Sequence, residues 1–123
     1  MTVLRSMRAL RAFVCAAALL QAGGAWAHAH LQKQAPAANS LQEAPEQIRL
    51  EFSEPLEGAL SRIEVVNASG AVISAARTSL DPASPKVLLL PLTALPAGSY
   101  TVNWNVVSVD GHRTRGSYRF TVK

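Results

Sequence analysis

Gly98-Ser99-Tyr100-Thr101-Val102-Asn103-Trp104-Asn105-Val106-Val107-Ser108-Val109 is the stretch that decides the fold of this chain of 123 residues. From Ser99 to Val109 it alternates. Tyr100, Val102, Trp104 and Val106 share one face, and Thr101, Asn103 and Asn105 share the other. A period of two with one apolar face is the mark of a half-buried strand. Upstream, Gln47 to Phe52 repeats the pattern, with Ile48, Leu50 and Phe52 inward. Ser61 to Val66 forms another strand through Ile63 and Val65, and Asn67-Ala68-Ser69-Gly70 turns the chain so that Ala71 to Ser74 returns as a hairpin partner. Lys86 to Leu90 is a short apolar strand, His30 to Gln34 is the first strand, and Ser117 to Val122 closes the chain with Tyr118, Phe120 and Val122 inward. The prolines at 36, 45, 55, 82, 85, 91 and 96 fall between these runs, where no ladder donor is lost, and Ala75 to Ser84 reads as a loop. About seven short strands with regular turn signals predict an all-β, seven-stranded antiparallel sandwich or small barrel. Leu95-Pro96-Ala97-Gly98-Ser99-Tyr100 resembles the tyrosine corner of immunoglobulin-like sandwiches.

The first 27 residues have a different character. Met1 to Arg11 carries Arg5, Arg8 and Arg11, Ala12 to Leu20 is apolar but too short to span a bilayer as a helix, and Ala25-Trp26-Ala27 supplies an A-x-A cleavage site. The expected organisation is a cleaved secretory signal over 1–27 and one domain over 28–123. The only cysteine, Cys15, and both methionines, Met1 and Met7, lie in the signal, so the mature part has no disulfide and no soft sulfur ligand for Cu(I). The formal charge of +4 also loses Arg5, Arg8 and Arg11, leaving 9 Lys/Arg against 8 Asp/Glu. Nothing in that balance, and no cluster of basic and aromatic residues, points to nucleic acid.

Cleavage after Ala27 gives His28 a free α-amine beside its imidazole, and amine and ring nitrogen can chelate one metal ion. The remaining histidines are His30 and His112, the latter in Ser108-Val109-Asp110-Gly111-His112. Asp110 and His112 are two apart and point the same way in an extended segment. Amine, imidazole and carboxylate suit Cu(II) in a tetragonal arrangement, and zinc accepts a similar set at tetrahedral angles. Taken singly, each residue has an ordinary explanation: His112 as a surface side chain, Asp110-Gly111 as a turn.

The His-first mature start, Glu51-Phe52-Ser53-Glu54-Pro55-Leu56, Gly98-Ser99-Tyr100-Thr101-Val102-Asn103-Trp104, and Ser108 through Gly111-His112 to Gly116-Ser117-Tyr118-Arg119-Phe120 together resemble the CopC family of periplasmic copper-binding, copper-resistance proteins. The resemblance runs from His28 to the end. It implies a seven-stranded, immunoglobulin-like Greek-key fold and one Cu(II) per chain, held by His28 through amine and imidazole together with Asp110 and His112. The Met-rich Cu(I) site of some members does not carry over, because no mature methionine is present. A periplasmic monomer that carries or buffers copper, without enzymatic activity, and an inner-membrane CopD-like partner are further implications. Arg113 departs from the small residue or proline expected after the turn, and is expected to pair with Asp110 in the absence of copper. His30 offers a competing square-planar mode through the amides of a floppy terminus. A first strand that begins at His30 commits its amide to the sheet and leaves it a spectator or second-sphere residue.

Other features read plainly. Glu51, Glu54 and Glu57 have no apolar surroundings to raise a pKa and are solvated. Asn67-Ala68-Ser69 matches a glycosylation acceptor but is explained by a turn, and no serine has the flanking glycines of a nucleophile elbow. Two rival functions stand beside the copper carrier. One is a histidine-brace copper monooxygenase, disfavoured because Phe52, Tyr100, Trp104, Tyr118 and Phe120 all read as inward rather than as a flat binding surface. The other is an immunoglobulin-like interaction module without metal.

Overall fold

The computed structural model describes residues His28–Lys123. The signal-peptide reading of 1–27 lies outside the described residues. Eight strands follow in order: β1 (Leu31–Ala35), β2 (Leu41–Gln42), β3 (Gln47–Phe52), β4 (Arg62–Asn67), β5 (Ser79–Asp81), β6 (Ser84–Pro91), β7 (Gly98–Val107) and β8 (Arg113–Val122). One 3-10 turn, Gly58–Leu60, precedes β4. The strands form two four-stranded sheets, ordered β1-β3-β6-β5 and β2-β8-β7-β4. The expected all-β sandwich is therefore present, open at four edge strands rather than closed as a barrel.

Alternation builds the core. Ile48, Leu50 and Phe52 of β3 and Leu88 and Leu90 of β6 face Val65 of β4, Val102 and Val106 of β7, and Phe120 of β8, all with no exposed surface. Each such side chain contributes about 1.5–3 kcal/mol relative to exposure. Tyr100 lies over Phe120 with ring centroids 5.6 Å apart and donates its hydroxyl to Pro96 O at 2.6 Å, the local loop-back of a tyrosine corner. Trp104 meets Phe52 edge-on at 5.1 Å, and its indole covers Gly116, where a Cβ would come within 2.8 Å of the Trp104 Cε2.

Several boundaries differ from expectation. The strand count is eight, not seven. Ala71–Ser74 is not a strand and makes only a single bridge, Val66 to Val72. The 71–78 segment instead satisfies the outer edge of β4 largely with side chains: Ser74 Oγ accepts from Val65 N–H at 3.1 Å and Thr78 Oγ1 from Ile63 N–H at 3.0 Å. The supposed loop 75–84 contains β5, which pairs with β6. The two-residue β2 runs parallel to the end of β8, a pairing too short to leave a periodic signal. Pro85 and Pro91 lie within β6 rather than between strands. Pro85 precedes the first β3–β6 pair, Glu51 with Val87, and Pro91 forms the last one, with Gln47. The Asn67 turn is as expected, with Asn67 Oδ1 accepting from the N–H groups of Ser69 and Ala71, both at 3.0 Å.

Candidate metal centre

The longest hairpin positions the site. β7 and β8 pair in unbroken register from Gly98–Val122 to Val107–Arg113, and residues 108–112 form the loop at that end. Ser108 N–H donates to His112 O at 2.9 Å and Gly111 N–H to Ser108 O at 2.8 Å. Gly111 has φ +94°, a conformation that residues with a side chain rarely adopt. The loop therefore turns back on itself and sets Asp110 and His112 on one side.

Asp110 Oδ1 is the hub. It accepts from the Ser108 hydroxyl in a short hydrogen bond, from His112 N–H at 3.3 Å, and lies 3.1 Å from His112 Nδ1. The Ser108 hydroxyl first, and then the His112 side chain, hold the Asp110 carboxyl below its ordinary value. An ionised carboxylate can only accept, so Nδ1 of His112 carries the proton and donates. In the neutral imidazole Nε2 then keeps its lone pair and is the nitrogen that can bind a metal.

His28 arrives from the other end of the chain. Ala29 is 1 % exposed, and its carbonyl accepts from Thr114 Oγ1 at 3.1 Å. His30 is fastened next: its N–H donates to Ser53 Oγ at 2.9 Å and its carbonyl accepts from Ser53 N–H at 2.9 Å. These anchors bridge the ends of both sheets and leave the exposed His28 ring 4.9 Å from the ring of His112, centroid to centroid, at 51°. Imidazoles at this separation can each offer one nitrogen to the same metal ion.

The structure thus brings all three expected residues, His28, Asp110 and His112, to one end of the sandwich. Among the described residues no three His, Asp or Glu side chains already form a closed metal cage. The donor set needs a further nitrogen, and the α-amine of a cleaved His28 is such a donor. His30 is exposed, and β1 begins one residue later than expected, at Leu31, yet its amide is committed to Ser53 as the spectator reading requires. One expectation fails. Arg113 does not pair with Asp110; its guanidinium donates to Asn105 Oδ1 at 2.5 Å, because β8 begins at Arg113 and the strand's alternation turns it onto the outer face of the sheet, beside β7. Ser108, Thr114 and Ser53 escaped the sequence reading. Ser108 and Thr114 flank the Asp-Gly-His turn and could have been suspected from that position; Ser53 lies in the Glu51–Leu56 stretch, but nothing in its spacing links it to His30.

Comparison with known proteins agrees with this geometry. A family model described as the CopC domain matches residues 31–123. The chain is 44 % identical over 100 residues to Protein YobA of Escherichia coli K12, spanning 80 % of this chain and 81 % of that protein. The crystal structure of CopC from Methylosinus trichosporium OB3b superposes with a TM-score of 0.74 at 31 % identity, over 78 % of this chain and 94 % of that one. PcoC from Escherichia coli, described as a methionine-rich copper resistance protein, superposes with a TM-score of 0.70 at 38 % identity, over 79 % of this chain and all of its own. A sandwich whose His28 segment is tied against an Asp-Gly-His loop, matched over nearly all its described length, belongs to the CopC family of copper-resistance proteins.

Proposed function

We propose that the chain is exported to the periplasm, loses residues 1–27, and binds one Cu(II) as a monomeric carrier or buffer. The ligands are the α-amine and imidazole of His28, the carboxylate of Asp110 and the Nε2 of His112. The observation that carries this reading is the 4.9 Å approach of the His28 and His112 rings, with Asp110 fixing the tautomer of the latter. Cu(II) rather than Cu(I) follows from a donor set of nitrogen and oxygen in a mature chain without cysteine or methionine. Delivery goes to an inner-membrane CopD-like protein. Protons compete for the amine and imidazoles, so copper affinity falls steeply on acidification.

The test compares two forms of the protein by Cu(II) titration and EPR. One starts at His28 with a free amine; the other carries one extra residue before it. Tight binding of one Cu(II) by the first form alone, with an axial nitrogen-rich signal, is the expected result. Equal binding by both removes the amine from the ligand set, and binding by neither returns the domain to a metal-free interaction module. The monooxygenase reading has little support. Phe52, Tyr100 and Phe120 are buried, and Trp104 and Tyr118 pack against the core, so no flat aromatic surface adjoins the site.

A further inference from the structure

The outer face of the β2-β8-β7-β4 sheet carries an unusual concentration of guanidinium groups. Residues 28–123 contain six arginines, and four of them, Arg62, Arg113, Arg115 and Arg119, stand on this one face. Their orientation follows from alternation. The inward residues of β4 and β8 are Ile63, Val65, Phe120 and Val122, so the alternate positions point outward. Register places Arg62, Asn105 and Arg115 side by side across β4, β7 and β8. Arg113 reaches back along β8 to the same Asn105, whose Oδ1 accepts from its guanidinium at 2.5 Å. Three cations therefore surround one amide.

One acid, Glu64, shares a groove with Arg62 and Arg115. None of the four arginines forms an ion pair among the described residues. The acid on the neighbouring row, Glu64, accepts instead from Asn103 Nδ2 at 3.5 Å. Arg62 and Arg115 line the two sides of this open groove of about 420 Å³, completed by Glu64, Asn103, Trp104, Asn105, Gly116 and Ser117, so two guanidinium groups face a single carboxylate there. An unpaired charged surface is ordinary when it consists of lysines. A forked guanidinium is different, because its paired N–H groups match the two oxygens of a carboxylate.

We propose that this groove is a docking site for an acidic, extended segment of a partner protein. The spacing favours that occupant. Arg62 and Arg115 are two strand intervals apart, about 10 Å between backbones, too wide for one small anion to engage both squarely. Same-side residues of an extended chain recur about every 7 Å, and the long arginine side chains absorb the difference. The amides of Asn103 and Asn105 and the hydroxyl of Ser117 offer donors and acceptors to such a backbone. Arg113 directly follows His112, so the groove adjoins the end of the sheet that carries the candidate metal centre. The docking surface stands on charge and register alone and does not depend on copper being bound.

The test uses the secreted chain without metal and an end-blocked hexaglutamate peptide as probe. Binding is followed at low ionic strength through Trp104 emission, the only tryptophan after residue 27, and through amide shifts on β7 and β8. Binding should weaken with salt, fall roughly tenfold or more in the double variant Arg62→Glu/Arg115→Glu, and change less than about twofold in Lys33→Glu on the opposite sheet. Equal binding by the double variant and the parent overturns the proposal, as does no binding by the parent. Binding of phosphatidylglycerol vesicles without binding of the peptide also overturns it, in favour of a membrane surface. Cu(II) titration of the double variant keeps the two readings apart: unchanged copper binding with lost peptide binding leaves each resting on its own residues.

Discussion

Thr114→Val probes the geometry of the metal centre without touching a ligand. Valine preserves the shape of threonine but removes the hydroxyl that donates to Ala29 O at 3.1 Å. Ala29 is 1 % exposed, so its carbonyl loses its partner with no water to replace it. Stranding a buried acceptor costs about 1–3 kcal/mol. The molecule can absorb that cost in two ways. If residues 28–30 stay in place, the whole loss falls on the fold, and at about 4–8 °C per kcal/mol the melting temperature drops by several degrees or more. If they detach, the fold keeps its stability, and copper must restore the segment before it binds, which weakens affinity by about 5-fold to 150-fold for the same free energy. The expected result is a measurable loss in one quantity or divided between both, read by thermal unfolding of the metal-free protein and by competitive Cu(II) titration. Thr114→Ser keeps the hydroxyl and should restore both. A Thr114→Val protein with unchanged melting temperature and unchanged copper affinity would show that this tether does not organise the site.

Gly116→Ala drives a methyl group into the Trp104 indole, with the added Cβ only 2.8 Å from Cε2, so we expect a loss of about 1–3 kcal/mol in chemical unfolding and a weakened near-ultraviolet tryptophan signal as the ring leaves Phe52. Tyr100→Phe strands Pro96 O, which now accepts at 2.6 Å, and should lower stability by about 1 kcal/mol, measured as a fall in the denaturant midpoint. Tyr118 supplies a pH dependence. Burial raises its phenol well above the ordinary value of about 10, so the unfolded chain ionises first and stability falls as pH rises beyond that point. Because its hydroxyl has no partner, Tyr118→Phe should leave stability at neutral pH intact and reduce the alkaline loss; a variant that unfolds with the parent's alkaline profile would remove this group as the cause.

Much of the sandwich was legible because a sheet with one wet face leaves a period of two, and β3, β4, β7 and β8 all have one. What failed to show has physical causes. Ala71–Ser74 looked like a hairpin partner because a turn preceded it, yet its main chain meets β4 only at Ala71 and Ile73, and the hydroxyls of Ser74 and Thr78 take the remaining β4 donors. β2 and β5 contain two and three residues, too few for any period, and exist only because β8 and β6 offer them an open edge. At the site, Asp110 and His112 were legible as a pair from a spacing of two, and His28 from the cleavage motif. Their convergence was implied only by the family resemblance and not by any spacing, because it depends on Thr114 and Ser53, ordinary polar residues that become significant only when both sheets have closed.

The hydroxyl edging of β4 has a consequence for crowded compartments. A free strand edge recruits the strand of a neighbouring molecule, and repetition of that pairing is how sheets grow into fibres. Ser74 and Thr78 occupy the Val65 and Ile63 donors that such a neighbour would need, while offering no continuous ladder of their own to copy. The segment behaves as a selvedge: it finishes the weave so that no further thread can be added. That finish closes one of the four sheet edges to the addition of a neighbour's strand.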